Sequence, residues 1–158
     1  MVSPGEWGSS AWELLHGLAE RVGNQSNLTL MRDEKNELRF VLRYFGYLLP
    51  CKTCQEHYRD WLKKYNPEPF LQQSGEFLQD SMREWVFKLH EDVNQRREVV
   101  SGVLIESLRE RYTVIDLRKN ALHLKGFYQR GIQLRIFKPD EWKLAWKHLD
   151  LLLRYLGV

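Results

Sequence analysis

The sequence predicts a mainly α protein: a bundle of four or five helices followed by a C-terminal extension of short strands and one helix. Three observations carry this. Apolar residues recur at helical spacing as far as about residue 112. The breaks between those stretches are short and polar, as the connections of a bundle are. Beyond residue 112 the pattern changes to two short runs rich in β-branched residues and then to one strongly amphipathic stretch. At 158 residues and 43% hydrophobic, the chain can bury a core without covalent staples. No run of about 18 apolar residues occurs, and the start, Met-Val-Ser-Pro-Gly-Glu-Trp, lacks the basic and apolar regions of a secretory leader. The expectation is therefore a protein with no membrane span and no classical export signal.

Each element has its own signal. A first helix is expected over about 9–22, with Trp12, Leu15, Leu18, Ala19 and Val22 on one stripe. Ser9 or Ser10 would cap it, with Glu13 completing a capping box three residues after Ser10. Gly23 to Asn27 is a polar break, and a second helix follows over about 32–48. A third starts at Pro50, a residue suited to the first helical position, and carries Cys51, Cys54, Tyr58, Trp61 and Tyr65 on one side. Asn66-Pro67-Glu68-Pro69 stops it. A fourth, about 75–97, places Met82, Trp85, Val86, Leu89 and Val93 on a stripe, and a fifth, about 101–112, uses Leu104, Leu108 and Tyr112. Residues 113–117 and 131–137 read as short strands. Pro139 then opens a helix whose apolar side holds Trp142, Ala145, Trp146, Leu149, Leu152, Leu153 and Leu156, with Gly157 at its end. The chain thus divides into a bundle, 1–112, and an extension, 113–158. The net charge of +3 is split unevenly, −2 over 1–112 and +5 over 113–158. That balance does not point to nucleic acid, and the basic tail reads as a solvated face.

The chemistry centres on the two cysteines, Cys51 and Cys54, which form a Cys-x-x-Cys pair. One reading is a zinc-stabilised interaction module with Cys51, Cys54 and His57 as ligands. A structural zinc needs four, and His16, His90, His123 and His148 are dispersed. The other is thiol–disulfide chemistry. The stretch before the pair has helical spacing, unlike the strand that precedes it in a thioredoxin-like domain. A thiol at a helix N-terminus sees the positive end of the dipole, which favours its thiolate. Redox chemistry leads. A second constellation accompanies it. His90 and Asn94 lie four residues apart, as do Trp12 and His16, so each pair shares one helical face. Together they give two helices a polar edge beside an aromatic or apolar surface, which is what a bundle needs to hold a planar ligand. The six Trp, seven Tyr and seven Phe fit either a core or such stacking.

Gly8-x-x-x-Trp12-x-x-Leu15-His16, Pro50-Cys51-x-x-Cys54 and Trp85-x-x-x-Leu89-His90-x-x-Val93-Asn94, in that order, resemble the Erv/ALR sulfhydryl oxidases. The resemblance covers roughly residues 6–112. It implies a helical bundle that binds FAD, forms disulfides in protein substrates and passes the electrons to oxygen with hydrogen peroxide as product. It implies that Cys51 is the outer, interchange sulfur and Cys54 the flavin-proximal one. It implies cofactor contacts from Gly8, Ser9, Trp12, His16, His90, Val93 and Asn94. Arg96 and Arg97 are the candidates for the diphosphate, and Tyr112 takes the place of a Trp near the adenine. No metal is expected. Ser9 stands where the family often has Arg, and Glu91 where it often has Asn. The structural disulfide and the shuttle cysteine pair of many members are missing. This economy is similar to members from large DNA viruses, which would place the protein in host cytoplasm or a virion. Expected partners are dithiol protein substrates or a thioredoxin-like carrier, and a second copy of the chain in a homodimer to which residues 113–158 add contact area; the rival is that the extension only covers its own bundle.

Overall fold

The computed structural model describes residues 2–158. Helix α1 (Pro4–Arg21) begins earlier than the stripe alone indicates, because the effective capping box is Ser3–Glu6 and not Ser10–Glu13. The Ser3 N–H donates to the Glu6 carboxylate at 2.8 Å, and Pro4 occupies the first helical position. Helix α2 (Leu28–Tyr44) is capped by Asn27, whose side-chain oxygen accepts from the N–H groups of Thr29 and Leu30. A 3-10 turn (Phe45–Leu48) finishes what the sequence reads as one helix to residue 48. Helix α3 (Lys52–Lys64) takes Cys51 as its N-cap, so Pro50 lies outside the helix rather than opening it. A single turn, α4 (Glu68–Leu71), leads to the long α5 (Gly75–Arg96). The helix expected over 101–112 is shorter: Gly102 at φ +66° keeps the preceding segment irregular, and α6 spans Leu108–Thr113 after a 3-10 turn.

The extension departs from expectation. Both short strands are absent; residues 113–158 fold into α7 (Leu117–Lys125), α8 (Tyr128–Gln133) and α9 (Pro139–Tyr155), and no strand occurs among the described residues. The first β-like run is interrupted by Asp116, whose carboxylate accepts from the Lys119 N–H at 2.9 Å and starts α7. The second is bent back on itself. The Gly131 carbonyl accepts from the Ile136 N–H at 2.8 Å, and the Phe137 ring seats on Gly131, where an added Cβ would lie 2.2 Å from the ring. The β-branched residues there satisfy their backbone locally, and tertiary packing overrides strand propensity.

The extension packs against α1 and α2. Helix α9 buries Trp142, Ala145, Leu149, Leu152 and Leu153, and packs along α2 and the 3-10 turn. His148 bonds Glu37 of α2 at 2.6 Å and stacks on Phe40. Helix α7 buries Leu117, Ala121 and Leu124 and crosses α1 at Gly17, where the Leu117 side chain fills the space a Cβ would need. The apolar residues that α7 and α9 bury belong to the same cluster as Leu14, Leu18, Leu38 and Leu42 of α1 and α2. Helices α1 and α5 are held together by a largely buried ion pair, Arg83 with Glu20. No helix among the described residues is long and apolar enough to cross a membrane.

Candidate active site

Helices α1, α3 and α5 enclose a cavity of about 270 Å³, and one of the two cysteines, Cys54, sits in its wall. Cys51 and Cys54 are joined as a disulfide, with Cα atoms 5.2 Å apart. The helix start separates their roles. Cys54, in the first turn of α3, lines the cavity, whereas Cys51, the N-cap, does not. The Cys51 sulfur accepts from the Cys54 backbone N–H at 3.3 Å and lies 3.2 Å from the Thr53 hydroxyl. It therefore occupies the anion-favouring end of α3, where a thiolate released by reduction is stabilised.

Around the disulfide the walls are mostly flat and apolar. Trp7, Ala11, Trp12 and Leu15 come from α1 at helical spacing, Phe45 and Leu49 from the 3-10 turn and its exit, and Leu89 and Val93 from α5. Arg96 and Arg97 at the end of α5 supply the cations. Asp92 sets one side of this arrangement: it bonds the His57 ring at 2.7 Å and Arg96 at 3.2 Å, tying α3 to α5 beside the cavity. Trp7 carries a buried indole N–H with no acceptor, on a residue that lines the cavity. A planar heteroaromatic ring with carbonyl acceptors and an anionic tail matches this set of groups: apolar flats for the ring, an orphan donor for a carbonyl, and two arginines for phosphate.

Behind the cavity lies an aromatic block. Trp12 stacks on His90 with centroids 3.9 Å apart and planes within 9°. His16 stacks on Tyr112 at 4.4 Å, and His16 Nε2 meets His90 Nδ1 at 3.0 Å. One ring must donate and the other accept, so the bond requires neutral imidazole on the accepting side. Burial supplies the neutral form. It pushes His16 down to about 3, aided by His90 and Arg111, and it lowers His90 as well. Nδ1 of His16 is buried without a partner. The unfolded chain, titrating near 6.5, takes up the protons that the folded rings refuse. This contribution to stability is whole above about pH 6.5 and is lost as pH falls through it toward about 3, at up to about 1.4 kcal/mol per pH unit. Melting temperature should therefore drop between pH 7 and pH 5, and H16Q should flatten that limb. Equal slopes in the two proteins would show that the imidazoles are not the groups responsible.

Of the residues singled out from sequence, Gly8, Trp12, Cys54, Val93, Arg96 and Arg97 meet at the cavity. His16, His90 and Tyr112 form the block that Trp12 joins to it. Asn94 is buried near the end of α5; its side-chain amide donates to Glu91 and its backbone carbonyl accepts from the Val99 N–H. Ser9, one residue round the helix from Gly8, is exposed and is not among the lining residues. The sequence reading left out Trp7, Ala11, Phe45, Thr53 and Tyr58. Trp7 lay outside the helix as first drawn, and the missed Ser3–Glu6 cap was the signal that would have included it. The zinc reading gains no support. His57 is engaged by Asp92, the cysteines bond each other, and no cluster of three or more His, Cys, Asp or Glu among the described residues is placed to hold a metal ion.

Comparison with known proteins bears on the same region. The chain is 31% identical over 91 residues to the mitochondrial FAD-linked sulfhydryl oxidase of Schizosaccharomyces pombe, a match covering 58% of this chain and 45% of that protein. It is 30% identical over 95 residues to a protein of Acanthamoeba polyphaga mimivirus named "Probable FAD-linked sulfhydryl oxidase", covering 59% of each. A rice (Oryza sativa subsp. japonica) FAD-linked sulfhydryl oxidase is 30% identical over 90 residues, covering 57% of this chain and 41% of the relative. The chain thus spans about half the length of the relatives it matches. No solved structure matches it at a significant level. The Erv1 / Alr family model aligns with residues 9–112, which contain the cysteine pair, both histidines of the aromatic block and all but three of the cavity's lining residues, and by that match the chain belongs to the Erv1/Alr family.

Proposed function

We propose that this chain is an FAD-dependent thiol oxidase that forms disulfides in protein substrates through Cys51 and Cys54. The observation that carries the reading is the split of one disulfide between two environments. Cys54 is in the wall of a flat-sided cavity with arginines, and Cys51 is outside it at the tip of α3. Three relatives named as FAD-linked sulfhydryl oxidases support it. In this reading Trp12, Val93 and Leu89 hold the flavin ring, His90 and His16 back it, and Arg96 and Arg97 hold the diphosphate. Tyr112 and Asn94 fix the packing behind the adenine side.

A substrate thiolate attacks the Cys51 sulfur, forming the mixed disulfide and releasing Cys54 as thiolate. Attack falls on Cys51 because that sulfur lies outside the cavity while Cys54 is in its wall. A second substrate thiolate attacks the substrate sulfur of the mixed disulfide; the substrate leaves as a disulfide and Cys51 as thiolate, received by the Cys54 N–H and the Thr53 hydroxyl. The protein now holds two electrons on its dithiol, with Cys54 on the cavity side. Bound FAD supplies the acceptor for those electrons and the chemistry that delivers them to oxygen as hydrogen peroxide. The apolar walls exclude water from that site. Residues 113–158 act in this reading as a cover for α1 and α2.

The purified protein should be yellow, with one FAD per chain, and should produce hydrogen peroxide from dithiothreitol. H90A should lose FAD and melt earlier, because the stacked face of Trp12 loses its backing. Added FAD should restore part of the melting temperature; a ligand that binds only the native state adds about 2.7 kcal/mol at a hundredfold excess over its Kd. A colourless protein that oxidises no dithiol would overturn the reading.

A further inference from the structure

A second cleft, of about 450 Å³, lies between the end of α2, the 3-10 turn and the solvent side of α3. Its chemistry is unlike that of the cavity. Arg39, Arg43, Arg59 and Lys63 line it, with Tyr44 and Tyr47 stacked beside them at 5.8 Å, and Glu68 is its one acidic residue. Glu68 is taken up by Arg39 at 2.7 Å. Arg43, Arg59 and Lys63 form no ion pair among the described residues, and all three are exposed. Three cations are thus left facing a tyrosine-walled cleft.

The cleft starts one helical turn from Cys51, at Gln55. Cys51, Gln55, Arg59 and Lys63 follow at i+4 steps, one ridge of α3, and Gln55 donates its backbone N–H to the Cys51 carbonyl. Gln55, Arg59 and Lys63 all line the cleft. From Cys51 to Lys63 the helix rises about 18 Å, the span of roughly five residues of extended chain. Gly46 lies against the Tyr58 ring in the cleft, where a Cβ would sit 3.1 Å from it.

We infer that this cleft is a docking groove for the acidic, extended segment of a dithiol protein substrate, which lays its carboxylates against Arg43, Arg59 and Lys63 while its cysteine meets Cys51. The inference rests on the oxidase reading and adds to it a substrate class: proteins whose reactive cysteines are flanked by Asp and Glu. The occupant is chosen by charge complementarity, by the groove's origin one turn from the outer sulfur, and by its length. Arginines pair carboxylates in a bidentate fork, and tyrosine hydroxyls and rings accept an extended chain without fixing its sequence.

The test separates the groove from the oxidase. A short fluorescein-labelled peptide rich in Asp and Glu and free of cysteine is titrated with the protein and with the R43E/R59E/K63E variant, by anisotropy. Binding should weaken about tenfold or more in the variant, and should weaken as salt is raised. Binding that ignores both changes, or its absence, overturns the inference. So does displacement of the peptide by tripolyphosphate at concentrations where an unlabelled acidic peptide is ineffective, which would make the cleft a phosphate site. In turnover, the same peptide bearing a cysteine pair should show a higher kcat/KM than a neutral dithiol peptide. The reversal variant should lose that preference while oxidising dithiothreitol at the normal rate. Failure of the unaltered protein to oxidise dithiothreitol would count against the oxidase reading alone, since anisotropy still decides the groove.

Discussion

C54S is expected to abolish flavin reduction by dithiothreitol and to lower dithiol turnover by about a thousandfold or more, as loss of a residue that forms the reactive bond does. The reason is positional. Cys54 is the sulfur in the cavity wall, and a serine hydroxyl there neither breaks from Cys51 nor carries electrons. C51S should behave differently. It leaves the Cys54 thiol against the cavity but removes the sulfur that a protein substrate reaches, so bulky thiol substrates should suffer more than small ones. Both variants lose the same disulfide, which closes a very short loop, and both should lose a similar stability of about 2 kcal/mol. Equal melting with unequal activity is the signature to look for. Normal turnover in C54S would sink the proposed mechanism.

What could be read ahead of the structure followed from short-range rules. The apolar stripes of α1, α2, α3 and α5 placed those helices because a period of 3.6 over three or more turns is hard to imitate. The Cys51–Cys54 spacing and the i, i+4 pairs Trp12/His16 and His90/Asn94 named the chemistry because helical geometry alone brings such residues to one face. Two things escaped. The start of α1 turned on which of two Ser-x-x-Glu boxes closes. Both obey the same rule, and only the Pro4 that follows Ser3 distinguishes them. The short runs at 113–117 and 131–137 hold β-branched residues whose preference is a statement about neighbours. With α1 and α2 offering long apolar faces and no strand to pair with, those residues pack as helix and turn. The basic cleft also escaped, since Arg39, Arg43, Arg59 and Lys63 come from two helices and read singly as solvated charges.

Deleting residues 113–158 is expected to leave a chain that aggregates or melts far below the full protein. The extension buries Leu117, Leu124, Phe137, Trp142, Leu149, Leu152 and Leu153. At roughly 1.5–3 kcal/mol for each fully buried large side chain, that burial rivals the whole net stability of a domain, about 5–15 kcal/mol. The faces of α1 and α2 that they cover would be wetted as well. A milder change reads the same contact: L149A, at a fully buried position on α9, should cost about 2–5 kcal/mol. A truncated chain that stays soluble, monomeric and equally stable would show that the extension covers nothing of consequence. A truncated chain that dimerises would show that the exposed faces seek a second copy instead.

The packing of α9 on α2 also bears on behaviour at low abundance. A helix tethered to its own bundle is present at an effective concentration in about the millimolar range, set by the connecting chain and not by the amount of protein. A cover supplied by a second molecule would come off on dilution; this one does not. The packing of α9 on α2 should therefore hold constant from micromolar to nanomolar protein, so that even the first few copies made in a cell keep this contact.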